Sequence, residues 1–192
     1  MVTAVKPTIH CVSGDGAERY RVPSLSENED YRPAPDLVAI ARQLQERHDA
    51  TFAHLNECRV VYLWKREGGK SNGKETHGKC QKPSPLVKFL TGGDSGGADF
   101  IIWLAADHLT NHEYTRLQVE AILFHEMLHT SLDEPEEVGK PAKAKIVAHD
   151  VEAFELEVEV YGLWRLELRS MARTMAGQLP LFAPDLPPFG QE

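Results

Sequence analysis

The sequence has 192 residues, 42% of them hydrophobic, with three cysteines and a formal net charge of −8. This composition excludes general disorder, and no apolar run approaches the roughly 20 residues that a membrane-spanning helix needs. Cys11, Cys58 and Cys80 are odd in number and widely spaced, which argues against a disulfide framework, and Met1 to Pro7 lacks the charged-then-apolar order of a signal peptide. One domain with a substantial core, in a reducing cytoplasm, is the expectation.

In chain order, residues 1–33 hold Gly14, Asp15, Gly16 and a polar run without apolar periodicity, and are expected to form a flexible arm. Pro35 opens a predicted helix with Leu37, Ile40, Ala41 and Leu44 at i, i+3, i+4 and i+7. Val60 to Trp64 predicts a strand, Gly68 to Gly73 a long turn, and Leu86 to Leu90 a weaker extended segment. Phe100 to Leu104 is apolar throughout, as in a strand covered on both faces. Thr110 and Glu113 have capping-box spacing, so a helix is expected to start there and run to His129 or Ser131, with Leu117, Ala121, Phe124 and Leu128 on one face. A polar loop with Pro135, Gly139 and Pro141 leads to a predicted long last helix over about 147–174. Its apolar stripe is Val151, Phe154, Val158, Tyr161, Trp164, Leu168 and Met171. Residues 175–192 form a proline-rich tail expected to be flexible.

The expected fold class is α+β. A small mixed or antiparallel sheet from 59–65, 84–90 and 98–105 packs on the helix that carries residues 125–129, and the domain spans 34–174 with a long C-terminal helix. Between 59 and 90, Arg59, Lys65, Arg66, Lys70, Lys74, Lys79, Lys82 and Lys88 face only Glu67 and Glu75. Such a patch can attract phosphates on an acidic chain, because fields are screened within about 10 Å. DNA contact through 59–90 and a merely solvated loop are the two readings.

His125-Glu126-Met127-Leu128-His129 carries the chemistry. Four residues advance a helix by about 400°, so both imidazoles leave nearly the same side, one turn apart, and can reach one zinc ion at about 2.0–2.1 Å. Glu126, beside the first ligand, is placed to act as general base on a zinc-activated water. A catalytic zinc needs a third protein ligand. His149 is the first candidate, with Asp150 and Glu152 as rivals; if His149 ligates, Asp150 can instead support a ligand imidazole as its hydrogen-bond acceptor. The remaining histidines, His77, His108 and His112 among them, read as surface or capping residues. His77 and Cys80 form a second zinc site only if His10 and Cys11 close a long loop onto them.

These residues carry a family resemblance. Gly73-Lys74, Gly78-Lys79, Ala98-Asp99-Phe100-Ile101-Ile102, Phe124-His125-Glu126-Met127-Leu128-His129, His149-Asp150-Val151-Glu152-Ala153-Phe154 and Tyr161-Gly162-Leu163-Trp164 resemble the phage metallopeptidases, a group related in style to SprT-like zincins. The likeness covers about 36–170 and implies a zincin-like fold, a phage or prophage origin and a place in the bacterial host cytoplasm. It further implies one zinc per chain and hydrolysis of a protein or peptide substrate. The alternatives are a non-catalytic zinc-containing binding module and a DNA-associated regulatory protein. The tail segment Gln178-Leu179-Pro180-Leu181-Phe182 looks like the short motif by which bacterial proteins dock on the replication sliding clamp.

Overall fold

A computed structural model describes residues 18–71, 73–92, 96–133, 142–149, 154–166, 168–169 and 172–173. They divide into two compact units, those up to Phe154 and those from Glu155 onward. The expected tail 175–192, the clamp-like segment 178–182, His10, Cys11, Asp150 and Glu152 lie outside the described residues.

In the first unit, strand β1 (Tyr31–Pro33) leads into helix α1 (Pro35–Arg47), which begins with proline at its first position as the sequence predicts. Leu37, Ile40, Ala41 and Leu44 of α1 are all buried. The three larger ones are worth about 1.5–3 kcal/mol each by removal from water. A short helix α2 (Asp49–Phe52) and a 3-10 turn (Ala53–Glu57) connect α1 to β2 (Val60–Lys65). The long turn predicted after β2 contains a small hairpin, β3 (Lys70–Ser71) with β4 (Lys74–Glu75). Gly73 closes it at φ 79°, where a side chain would be strained.

β5 (Gly78–Gln81), helix α3 (Pro85–Leu90) and β6 (Phe100–Ala105) follow. The sheet order is β1-β2-β6-β5, with β2 and β6 parallel and both outer pairs antiparallel. This mixed four-stranded sheet fits the expected α+β class, but its membership corrects the sequence reading. Residues 85–90 form a helix and not a strand, and Gly78–Gln81 pairs with β6 in their place. The reason is local: Ser84 accepts a hydrogen bond from the Val87 N–H as N-cap, and Pro85 at the first helical position is pre-set for a helix.

After helix α4 (Ala106–Asn111), helix α5 (Arg116–Leu128) carries the histidine pair. Its start also differs from expectation. Thr110 lies inside α4, and the capping box is formed by Thr115 and Gln118. The Thr115 N–H donates to Gln118 Oε1 at 2.9 Å, and Thr115 Oγ1 accepts from the Gln118 N–H at 3.4 Å. Residues 119–127 of α5 are all buried, whereas Leu117, assigned to the apolar face, is exposed. A helix buried around most of its girth lies within the core and not on it: α5 packs against β5 and β6 as well as α1.

β7 (Thr130–Asp133) and β8 (Lys143–Ile146) form a separate antiparallel pair directly after α5. Residues 18–33 also hold their own contacts. Tyr20 Oη donates to Asp36 at 2.8 Å, Trp64 Nε1 donates to the same carboxylate at 3.0 Å, and the Tyr20 N–H donates to the Tyr114 carbonyl.

The long C-terminal helix expected over 147–174 is not formed as such among the described residues. Residues 147–149 are not helical, and helix α6 spans only Glu155–Tyr161. Gly162 ends it at φ 67°, its N–H donating to the Val158 carbonyl, which is the left-handed stop that glycine supplies. Within this unit Glu157 is fully buried and accepts from Trp164 Nε1 at 2.8 Å and Arg165 Nη2 at 3.1 Å.

Candidate metal centre

Three histidines that are far apart in sequence meet at one point. One ring nitrogen from each of His125, His129 and His149 lies within 4.8 Å of the others. His125 and His129 are brought together by the helix: His129, the C-cap of α5, keeps right-handed helical angles, and the two ring centroids are 5.2 Å apart.

His149 is delivered by the β7–β8 hairpin. Thr130, next to His129, pairs with Ile146, and the Val147 N–H donates to the His129 carbonyl at 2.8 Å. The chain thus returns beside the helix end two residues before His149. His149 Nε2 then stands 2.9 Å from His125 Nε2. The hairpin is itself held from behind. Thr130 Oγ1 donates to the Met127 carbonyl at 2.6 Å and so accepts from His54 Nε2 at 2.8 Å.

The donor set fits a zinc ion. Bonds of about 2.0–2.1 Å in tetrahedral array set ligand nitrogens roughly 3.3 Å apart; here the His125 and His149 nitrogens are 2.9 Å apart and no pair exceeds 4.8 Å. His129 is also held in the tautomer a metal requires. Its Nδ1 lies 2.7 Å from the Val147 carbonyl, which can only accept, so the proton sits on Nδ1 and Nε2 keeps its lone pair. Asp150, expected as the alternative support, falls outside the described residues, and this carbonyl is a support that sequence reasoning missed.

Phe154 is a second omission. Its ring centroid lies 5.3 Å from His125, 5.0 Å from His129 and 5.5 Å from His149, making an apolar wall against all three imidazoles. The apolar stripe had assigned it to a long helix, and it lies just before α6.

Glu126 is buried, and its Oε2 accepts the Cys80 N–H of β5 at 2.7 Å. β5 is an edge strand of the sheet. The Ala105 N–H donates to the His77 carbonyl, so ladder alternation turns the backbone groups of Gly78 and Cys80 away from β6. Gly78 makes the close approach feasible: a Cβ there would lie 2.8 Å from Leu104 Cδ2, 3.0 Å from Ile122 Cγ2 and 3.1 Å from Glu126 Cγ. The Cys80 thiol is pushed up to about 12, chiefly by burial and then by the Glu126 charge, so it stays a protonated core group. The pairing of His77 with Cys80 is not formed; the His77 ring faces Glu75, His108, His112 and Tyr114.

The basic segment is divided. Arg66 pairs with Asp30 and Glu67, Lys65 Nζ lies over the Trp103 ring, and the Arg59 N–H donates to Asp99. Lys70, Lys74, Lys79 and Lys82 are exposed.

No helix among the described residues is long and apolar enough to cross a membrane. No curated protein and no solved structure matches the chain. The family model described as "Putative phage metallopeptidase" matches residues 29–176, a stretch that holds all three histidines, Glu126, the sheet and the β7–β8 hairpin. A metal is implied by that family, and a histidine triad able to hold one stands in this chain, which belongs to the putative phage metallopeptidase family.

Proposed function

We propose that the protein is a zinc-dependent endopeptidase, with His125, His129 and His149 as ligands of one catalytic zinc and Glu126 as general base. The observation that carries this reading is the convergence of the three imidazoles, with the residue after the first of them a buried carboxylate fixed to a sheet edge. Zinc, when bound, would act as a Lewis acid toward water and the scissile carbonyl.

The chain's own residues do the rest. Cys80 N–H holds Glu126 Oε2, so the carboxylate cannot swing away, and Glu126 takes the proton of the attacking water at Oε1 and returns it to the leaving amine. The outward backbone groups of Gly78 offer a peptide in extended form an edge to pair with, beside Glu126. Burial of His125 and the Phe154 wall exclude water other than the reactant. The substrate class is accordingly an extended, unfolded or loop segment of protein.

Glu126→Gln tests the assignment. It keeps the carboxylate's shape and leaves the imidazoles in place, so zinc content should be unchanged while cleavage of an unfolded protein substrate falls about 10²–10⁴-fold. Peptidase activity undiminished in this variant would remove Glu126 from the mechanism, whereas zinc retained by a wild type without peptidase activity would favour a non-catalytic zinc module.

A further inference from the structure

A second group of donors lies on different elements from the first. Glu75 ends β4, His77 immediately precedes β5, and His112 caps α4; one donor atom from each lies within 4.8 Å of the others. Glu75 Oε2 is their focus. His112 Nε2 is 2.6 Å from it, and His77 Nε2 and His108 Nδ1 are each 3.6 Å from it.

The hydrogen bond behind the His108 ring shows which of its nitrogens carries the lone pair. His108 Nε2 is 3.0 Å from the Gly69 carbonyl, which only accepts, so the proton of the neutral ring is on Nε2 and Nδ1 turns its lone pair toward Glu75. His77 Nδ1 is 3.2 Å from the Tyr114 hydroxyl, and its Nε2 is buried without a hydrogen-bond partner. A lone pair held toward a carboxylate, and a buried ring nitrogen left unpaired, are both costly arrangements. One cation among the four groups answers both.

The surroundings are built to this spacing. Gly68 has no side chain where a Cβ would fall 2.4 Å from His108 Cδ2 and 2.3 Å from the Thr76 carbonyl oxygen. Its N–H donates to Asp107 Oδ1 at 2.9 Å, which keeps the backbone pressed against α4. His77 meets His108, His112 and Tyr114 edge to face, with centroids 5.6, 5.7 and 5.4 Å away.

We infer that Glu75, His77 and His112, with His108 beside them, form a second divalent metal site, suited to a first-row ion that takes mixed imidazole and carboxylate donors, zinc foremost. The ion ties the β3–β4 hairpin and the lead into β5 to the end of α4. Gly78 and Cys80 follow directly, so this site braces the strand whose N–H meets Glu126.

Zinc titration of metal-stripped protein by calorimetry tests the site, with the melting curve as a check on folding. The wild type takes up about two equivalents, and Glu75→Gln combined with His112→Gln lowers this to about one, or weakens the second equivalent by tenfold or more. Both residues are at least partly exposed, so the melt stays cooperative. The complementary variant, His125→Ala with His129→Ala, keeps about one equivalent, and zinc raises its Tm. Equal stoichiometry with unchanged affinities in the wild type and in the Glu75→Gln, His112→Gln protein overturns the second site. So does zinc uptake by the His125→Ala, His129→Ala protein at millimolar concentration only. Each variant leaves the other cluster intact, so the two sites fail separately.

Discussion

The two histidine clusters are assembled in different ways. In the first, His125 and His129 are placed by four residues of helix, and a hairpin returns the chain to His129 eighteen positions on, at Val147, two residues before the third donor. In the second, no element supplies the site alone: a two-residue hairpin strand gives Glu75, the approach to β5 gives His77, and α4 gives His108 and His112. The first announces itself because one helical turn aligns two ligands with a carboxylate between them. The second has a helical pair at the same spacing, His108 and His112, but Leu109, Thr110 and Asn111 between them include no acid, and its carboxylate comes from more than thirty residues upstream. A chemical motif is visible in a sequence only when one element carries most of it.

Gly78 stands between the clusters, and substituting it gives the largest effect on both. In Gly78→Val the new side chain meets Leu104, Ile122 and Glu126 within 2.8–3.1 Å at its Cβ alone. Overpacking of this kind costs about 1–3 kcal/mol, and β5 can relieve it only by moving off α5. Chemical denaturation should show that loss, and peptidase activity should fall with it as the Cys80 to Glu126 hydrogen bond lengthens. A variant as stable and active as the wild type would break the link between the strand and the carboxylate.

Thr130→Val separates the clusters. It deletes the hydroxyl that donates to the Met127 carbonyl and accepts from His54, behind the hairpin that carries His149. Loss of about 1–2 kcal/mol is expected, with weaker zinc binding at the first cluster and none at the second changed. Calorimetry on the Glu75→Gln, His112→Gln background isolates the affected equivalent.

The smallest effect is on pH dependence, and it belongs to the first cluster's side of the molecule. Burial, ahead of any charge, lowers His48 and His54 below their ordinary value of 6.5. His48 packs its ring on Phe124, and His54 donates to Thr130. A lowered folded value means that the unfolded chain takes up protons first, so their contribution is complete above pH 6.5 and is lost as the pH falls through the folded values. Melting curves on metal-stripped protein should show Tm dropping on acidification below pH 6.5, and His54→Gln should flatten that slope.

The sequence by itself determined the elements whose burial pattern is local. Pro35 and the apolar face Leu37, Ile40, Ala41 and Leu44 predict α1, and the β-branched and aromatic runs predict β2 and β6. The pair His125 and His129 with Glu126 between them is likewise legible, because helical periodicity alone puts both rings on one side. Further local signals mark the observed boundaries. Ser84-Pro85 marks a helix start, Thr115 and Gln118 are the true capping pair, and Gly162 interrupts the stripe that suggested one long last helix. Tertiary structure alone decided the rest. Which strand takes the edge beside α5, that Cys80 N–H holds Glu126, that the Val147 carbonyl sets the His129 tautomer, and that Phe154 walls the three imidazoles depend on backbone groups and close approaches. Backbone donors and acceptors are the same at every residue, so no pattern of side chains reveals which of them will meet a functional group until the chain has folded.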